Sequence, residues 1–185
     1  SRNDQRHRST ITFGYDLPQY ENRVLNAVAG NWQVSGNIRL QSGRRFSVSV
    51  SALQSLGSFV PQRADFAQGR AGDKGELGKL TQTTYLGSTA LRWFDPTAYA
   101  QPAAGFQGKA GRNTLEGPSY RRVDLAFTKR FPFSSNRVDF RFEVFNALNT
   151  VNYANPVANI SQATAGTIVS ADDPRVVQLS LRVHW

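Results

Sequence analysis

The sequence predicts an all-β fold, an antiparallel meander of about five strands, and three observations lead to it. Segments of about ten residues alternate apolar and polar side chains, which gives an extended strand one face of each kind. The connections between these segments are alternately short and long. The polar positions carry charges of both signs. Together these features are typical of strands that cross a membrane, with lipid on one side and a polar lumen on the other.

The composition is compatible with such strands and disfavours several other classes. Of the 185 residues, 39% are hydrophobic, and no apolar run approaches the roughly 18 residues of a membrane-spanning helix. Cysteine is absent from the sequence, which excludes disulfides and thiol chemistry within it. The net charge of +9 comes from 22 basic and 13 acidic residues that are spread along the chain. Without a clustered basic patch, we do not expect a nucleic-acid partner.

Two strands are predicted in the N-terminal part of the chain. The first is residues 9–17, with Ile11, Phe13 and Tyr15 on its apolar face. The second is residues 31–50, which is long enough to include an interruption. Its predicted lipid-facing set is Trp32, Val34, Gly36, Ile38 and Leu40, followed by Phe46, Val48 and Val50.

Three more strands are predicted in the C-terminal part. Residues 121–133 alternate regularly, but Lys129 interrupts the apolar face, either by reaching a membrane interface or by marking a bulge. Residues 136–148 form the fourth strand, joined to the third by the tight hairpin "PFSSN". Residues 176–185 form the fifth.

The lengths of the connections predict the side of the membrane on which each lies. Residues 18–31 and 134–136 are short, whereas residues 51–118 and 151–174 are long. Outer-membrane barrels have short periplasmic turns and long extracellular loops. We therefore expect the long segments outside the cell, with 51–118 as the candidate for ligand contact and its Gly-rich stretch 69–79 as a flexible loop.

The polar positions predict the wall of a lumen. Opposite charges that face one another on neighbouring strands would stabilise such a wall. A solvent-facing surface of a soluble sheet is the alternative interpretation. The candidate lumen-lining residues are Arg39, Asp124, Asp139, Arg141, Glu143 and Arg182.

The apolar face carries aromatic residues toward one end of the strands. Barrels place aromatic girdles at the membrane interfaces, although the core of a soluble sandwich is also rich in phenylalanine. The aromatic residues that we assign to the periplasmic end are Tyr15, Trp32, Phe131, Phe133 and Trp185.

Several stretches carry a family resemblance: "GNWQVSGNIRLQSGRRFSV", "AGRNTLEGP", "RFEVFNALNTVNYANP" and "DPRVVQLSLRVHW", in this order. They resemble the C-terminal barrel of TonB-dependent outer-membrane receptors, in particular the Oar-like group with a carboxypeptidase-regulatory-like domain. The resemblance implies a bacterial outer-membrane barrel of about 22 strands, closed by an N-terminal plug and energised by a TonB-type inner-membrane partner. Residues 1–185 would then be a C-terminal fragment of the barrel domain, with the signal peptide and the plug upstream.

The resemblance also implies a role for the last strand, which the barrel-assembly machinery would read as a signal. The candidate signal residues are Val177, Leu179, Leu181, Val183 and Trp185. The expected partners are thus outer-membrane lipid, the assembly machinery, an unidentified extracellular ligand and, through the upstream part, the energising partner.

No catalytic constellation or metal site is predicted. The two histidines, His7 and His184, are isolated, and the adjacent Asp172 and Asp173 fit a turn better than a cation site. We expect no enzymatic activity and no cofactor. Two other functional classes stay open: a secreted or cell-surface β-domain that binds carbohydrate or protein, and a passive porin-like barrel.

Overall fold

A computed structural model describes residues 5–51, 62–70, 72–73, 75–85, 88–133 and 136–185. They form two compact units, which are described separately. The sheet unit consists of His7–Gln41, Tyr120–Asn152 and Asp173–Trp185. The inserted unit consists of Ser1–Arg6, Ser42–Ser119 and Tyr153–Asp172.

The secondary structure is almost entirely β. In chain order the elements are β1 (Arg8–Asp16), α1 (Arg23–Ala29), β2 (Trp32–Gln41), β3 (Arg45–Phe46), β4 (Ser49–Val50), β5 (Gln62–Arg63), β6 (Asp65–Phe66), β7 (Glu76–Tyr85), β8 (Ser88–Phe94), a 3₁₀ turn (Pro96–Ala98), β9 (Tyr99–Ala100), β10 (Leu115–Glu116), β11 (Tyr120–Phe133), β12 (Asn136–Phe145), β13 (Thr167–Ile168) and β14 (Val176–His184). Among the described residues, no helix is long and apolar enough to cross a membrane.

The sheet unit is built on five antiparallel strands in the order β1, β2, β11, β12, β14, so the predicted meander of five strands is confirmed. Its four pairings run without a register shift. Residues directly opposite each other in antiparallel strands lie on the same face. Val34, for example, stands between Tyr15 and Phe127 on the apolar face. The sheet is open, with β1 and β14 as its edges.

The second predicted strand is shorter than the sequence indicated. β2 ends at Gln41, so the prediction that Phe46, Val48 and Val50 continue its lipid-facing side is wrong. These three side chains are instead almost completely buried in the inserted unit. Local alternation is the same in both settings, and it cannot reveal which surface covers the apolar side chains.

A close contact between two glycines marks the start of the inserted unit. A Cβ on Gly43 would lie 1.8 Å from the carbonyl oxygen of Gly117. The chain then pairs with the segment around this second glycine, because β3 pairs with β10 and the Gly117 N–H donates to the Arg44 carbonyl at 2.9 Å. This pairing gives residues 45–46 a new strand partner outside the five-stranded sheet.

Lys129 does not mark a bulge. It stands opposite Trp32 and Phe140 in an uninterrupted ladder, on the apolar face. Its ammonium group reaches main-chain carbonyls at the end of α1, those of Val28 (3.5 Å) and Gly30. The prediction of a bulge, one of the two alternatives for Lys129, is therefore wrong. The aliphatic stem of the lysine instead carries its charge to the end of the sheet.

The inserted unit has a hydrophobic core of its own, so residues 51–118 are not the simple connection that the sequence suggested. Aromatic rings pack in pairs within this core: Phe46 lies 5.8 Å from Phe94, and Tyr99 meets Phe94 edge-on at 6.1 Å, measured between ring centroids. The buried core residues are Phe46, Val48, Val50, Ala64, Phe94, Ala98, Tyr99, Ala110 and Leu115.

Part of the Gly-rich stretch 69–79, which was predicted as a flexible loop, belongs to a strand. Gly69, Gly72 and Gly75 have φ of 76°, 84° and 60°, the left-handed region that glycine adopts at little cost. From Glu76 onward the chain belongs to β7, which pairs with β8. Residues 71 and 74 of this stretch lie outside the described residues.

Replacing Gly108 with alanine should destabilise the inserted unit by about 1–3 kcal/mol, because the new methyl group overpacks a closed site. Its Cβ would lie 2.1 Å from the Ala64 carbonyl oxygen, which also accepts a hydrogen bond from the Ala110 N–H at 3.1 Å. Protease cleavage within the inserted unit of the full-length protein, followed against urea concentration, measures this loss. Gly14→Ala is the matched control, since nothing lies within 4 Å of a Cβ there. Equal urea midpoints for the two variants would contradict the packing argument.

Candidate functional site

All six candidate lumen-lining residues lie on one face of the sheet. The register shows this directly, because Asp139 stands opposite Arg182 on one side and Arg130 on the other. Arg141 and Glu143 follow Asp139 at intervals of two along β12, and Arg39 stands opposite Arg122, which lies two residues before Asp124 in β11. The structure thus brings together the residues that the sequence assigned to a lumen wall, and their lining of a lumen stays a prediction.

Asp124 is the most highly coordinated acid of this face. Its Oδ1 accepts from Arg122 Nε at 2.8 Å and from the Asn146 main-chain N–H at 2.9 Å. Its Oδ2 lies 3.5 Å from a guanidinium nitrogen of Arg39. Only 16% of the side chain is exposed, and a carboxylate with so little water contact requires such partners. The sequence reasoning missed Arg122, which the i, i+2 spacing within one strand could have indicated.

Asp139 forms ion pairs with side chains other than that of Arg182, the residue directly opposite it on β14. Its Oδ1 lies 3.0 Å from Arg137 Nε, and its Oδ2 lies 3.1 Å from His184 Nε2. In the described part of the chain, Arg182 makes no ion pair with Asp139, although it stands directly opposite. The preferred partner is the arginine two residues away on the same strand.

The same arrangement recurs in the rest of β12. Arg141 donates to Glu143 Oε1 at 2.7 Å, again across an i, i+2 spacing. Arg130, at the end of β11, donates to Gln33 Oε1 at 3.0 Å and lies 3.7 Å from Asp16. The long arginine side chains therefore extend along the sheet and cover the shorter carboxylates, so that opposite charges are paired along the polar face.

The polar face carries an excess of positive charge. On the five strands, seven arginines share this face with four carboxylates, which leaves three positive charges when His184 is neutral. A wall of this sign raises the local concentration of anions. The arginines are Arg8, Arg39, Arg122, Arg130, Arg137, Arg141 and Arg182, and the acids are Asp16, Asp124, Asp139 and Glu143.

Three asparagines organise the turn that follows β12. Asn146 is buried with φ of 51°, and its side chain bonds the Thr150 N–H and carbonyl, both at 3.0 Å. Asn152 bonds the main chain of Arg121 at 2.8 and 2.9 Å, and Asn149 accepts from the Arg175 N–H at 3.1 Å. The turn is therefore tied to β11 and to the residues that lead into β14. This explains why β12 ends at Phe145, before the predicted residue 148.

The apolar face of β14 continues that of β12. Val177, Leu179, Leu181 and Val183 stand opposite Val144, Phe142, Phe140 and Val138 in turn. All four are about half exposed or more, whereas Trp185, one residue beyond the strand, is 96% exposed. This is the exposure expected of a surface that faces lipid. A role of these residues as an assembly signal stays a prediction.

Four of the aromatic residues predicted for a periplasmic girdle lie at the same end of the strands, and the side of the membrane on which this end lies stays a prediction. Tyr15 and Phe131 lie at the ends of β1 and β11, Trp32 begins β2, and Trp185 follows β14. In an antiparallel sheet these positions lie at the same end of the strands, where the chain turns from β1 to β2 and from β11 to β12. The backbone of Phe133 lies at the same end of the strands, where it pairs with Asn136.

In the inserted unit, Arg70 holds two acids together. Its guanidinium lies 2.7 Å from Asp73 and 2.9 Å from Asp95, and it also donates to Thr97 at 3.1 Å. Burial raises the pKa of Asp95, but hydrogen bonds from Thr97 and Arg70 outweigh this effect, so that its pKa lies below the usual 3.8. The pKa of Asp73 is also lowered, first by the Gly75 N–H and then by Arg70.

Comparison with known proteins gives the chain its family. A family model described as an outer membrane beta barrel domain matches residues 1–178. The chain belongs to this family. No curated protein sequence matches the chain significantly, and neither does any solved structure.

Family membership assigns a place and a role to this outer-membrane barrel domain. The chain lies in the bacterial outer membrane, where the five-stranded sheet forms part of a barrel wall. A secreted β-domain, one of the alternatives that the sequence left open, is therefore excluded. Within the described ranges, no group of three or more histidine and acidic side chains is arranged to hold a metal ion.

Replacing Leu181 with arginine should destabilise the membrane-embedded barrel by about 2–4 kcal/mol if this position lies near the bilayer midplane, because a charge then faces lipid. The full-length protein, folded into vesicles and titrated with denaturant, gives this difference. The matched control is Gln178→Arg on the opposite face, where the new arginine would stand across from Glu143. Ser180 is less suitable, since it faces Arg141. If both variants are equally stable, the two faces of the sheet do not differ in environment.

The Arg70 network should make the inserted unit sensitive to acid. A carboxyl group whose pKa is lowered by folding stabilises the folded state above its unfolded pKa of 3.8, and this stabilisation is lost as the pH falls below that value. Urea midpoints for protease cleavage of the inserted unit should therefore fall between pH 6 and pH 3. The fall should be smaller in Asp95→Asn and unchanged in the control Asp172→Asn, which alters an exposed acid of the same unit. An equal fall in all three proteins would contradict this account.

Proposed function

We propose that the chain forms barrel wall and outer loops of a TonB-dependent receptor that imports an extracellular ligand. Membership in the outer-membrane barrel family supports the wall, and the resemblance of several stretches to Oar-like receptors supports the uptake role. The observation that carries the proposal is the inserted unit. Residues 42–119 and 153–172 fold around a core of their own, which is more than the turn between two barrel strands requires.

The strand connections support a topology for this receptor. At one end of the strands the chain passes from β1 to β2 through residues 17–31, and from β11 to β12 through a two-residue connection. It leaves β2 and β12 at the opposite end, into the inserted unit and the asparagine-rich turn. We assign the first end to the periplasm and the second to the outside, as the lengths of the connections suggest. Ligand contact then belongs to the inserted unit.

The charge of the wall suggests the class of ligand. Seven arginines against four carboxylates favour an anionic solute along this part of the lumen. The ion pairs at Asp124, Asp139 and Glu143 leave Arg182 as the arginine with the least compensated charge on β12 and β14. We propose that the ligand is anionic and that this face of the sheet contributes to its passage.

A passive porin-like barrel is the second candidate, because long loops and a charged wall occur in porins as well. The two candidates differ in whether a plug closes the lumen. A plugged transporter conducts no steady ion current until the plug is displaced, whereas a porin conducts at all times.

Planar-bilayer recording of the purified full-length receptor tests the proposal without knowledge of the ligand. We expect no steady conductance from the intact protein, and an anion-selective channel after deletion of the upstream plug. Arg182→Gln should reduce the anion selectivity of that channel, measured as the reversal potential in a salt gradient. Leu179→Gln, on the opposite face, is the control and should leave it unchanged. Steady conductance of the intact protein would favour the porin.

A further inference from the structure

The position of Lys129 is unusual for a charged residue in a membrane strand. It lies on the apolar face of β11, and only 3% of it is exposed. Its ammonium nitrogen lies 5.6 Å from the ring centroids of both Trp32 and Phe131. It also donates to the carbonyls of Val28 and Gly30, where α1 ends. The cation is thus held at the periplasmic edge of the lipid-facing surface by two rings and by main-chain oxygens.

These contacts do not neutralise the charge. Ring faces and carbonyl oxygens offer partial negative charge, whereas a buried ammonium group is stabilised most by a full counter-charge. None of the described carboxylates forms an ion pair with Lys129. The site therefore has a full positive charge for which the described part of the chain supplies no anion.

A cleft of about 280 Å³ adjoins this cation. It is smaller than most pockets for drug-sized ligands and is suited to a compact polar group. One further cationic residue, Arg23, lines it together with amide side chains. Arg130 also contributes to the lining, but its guanidinium group pairs with Asp16 and Gln33 on the polar face. Its lining includes Arg23, Asn26, Asn31, Lys129, Arg130 and Phe131. The charge and size of the cleft fit a single phosphate group, which binds to clustered arginine and lysine side chains.

Helix α1 adds an apolar surface beside the cleft. Asn22 caps its first turn, and Val24, Leu25 and Val28 are 74%, 48% and 70% exposed. The end of α1 lies over the apolar face of the sheet, because the Trp32 indole donates to the Val28 carbonyl at 2.9 Å. The exposed Val28 therefore lies where α1 meets the apolar face of the sheet, the face expected to contact lipid in an outer-membrane barrel. An apolar surface next to a cationic cleft matches the two parts of a phospholipid.

We propose that α1 and this cleft bind a phospholipid of the periplasmic leaflet. Lys129 and Arg23 are the counter-charges of its phosphate, and the apolar residues of α1 lie against its acyl chains. The assignment to the periplasmic leaflet rests on the proposed topology, whereas the lipid site itself does not depend on transport.

Native mass spectrometry of the delipidated full-length receptor in detergent tests this site. Phosphatidylglycerol is added in one arm, and diacylglycerol with the same acyl chains in the other. We expect the receptor to retain phosphatidylglycerol in preference to diacylglycerol. The amount of phosphatidylglycerol retained should fall about fivefold when one cation is removed, in Arg23→Gln or in Lys129→Met. Arg137→Gln is the charge-matched control, because it changes an arginine near the same edge on the opposite face. Arg23 lies on the exposed helix outside the sheet, so its variant tests the site even if Lys129→Met does not fold.

Three results would overturn the proposal. The first is equal retention of the two lipids, and the second is an equal loss in the Arg137→Gln control. The third is displacement of phosphatidylglycerol by inorganic phosphate at millimolar concentration, which would indicate a site for a free anion. None of these results bears on the bilayer conductance of the receptor, so failure of the lipid site and failure of the transport proposal are distinguishable.

Discussion

The continuous antiparallel ladder of the five-stranded sheet is the constraint on which the rest of the sheet unit depends. Because the side-chain period is two, a slip of one residue in any pairing would exchange the two faces of that strand. The four pairings have no such slip. One face is consequently mainly apolar from β1 to β14, with Arg121 and Lys129 toward its two ends, and the other carries seven arginines and four carboxylates. The position of Lys129 follows from the same constraint, since the ladder continues through it and places its stem on the apolar side.

The ladder ends at the asparagine-rich turn, where polar contacts replace strand pairing. The Asp124 carboxylate joins this turn to the wall, because it binds the Asn146 N–H as well as two arginines. With only 16% of its side chain exposed, this carboxylate requires such partners, and its bond to Asn146 gives the turn a fixed position relative to β11. Asn152 also joins the turn to β11, and Asn149 joins it to Arg175, the residue before β14. A single acid thus contributes both to the charge of the wall and to the geometry of the turn.

The two faces of the sheet accommodate positive charge in different ways. On the polar face, arginines cover carboxylates on the same strand at i, i+2 spacing, as Arg141 does with Glu143. On the apolar face, Lys129 has aromatic rings and carbonyl oxygens as neighbours. The first arrangement produces a polar wall with a net positive charge. The second leaves a cation at the edge of the lipid-facing surface, where the phosphates of a membrane provide the missing charge.

Alternation along the sequence was enough to predict the all-β class, the meander of five strands and, within the sheet, which side chains share a face. Period-two alternation is a local property of the sequence, so it can be recognised without knowledge of the tertiary structure. The tertiary structure alone decided where the second strand ends, because Phe46, Val48 and Val50 have the same alternation in a lipid-facing strand as in a buried core. It also decided the ion-pair partners, such as Arg137 and His184 for Asp139, because the reach of long side chains depends on neighbours that are distant in the sequence. The core of the inserted unit joins segments from residues 46 to 115, and no local pattern records contacts over such a separation.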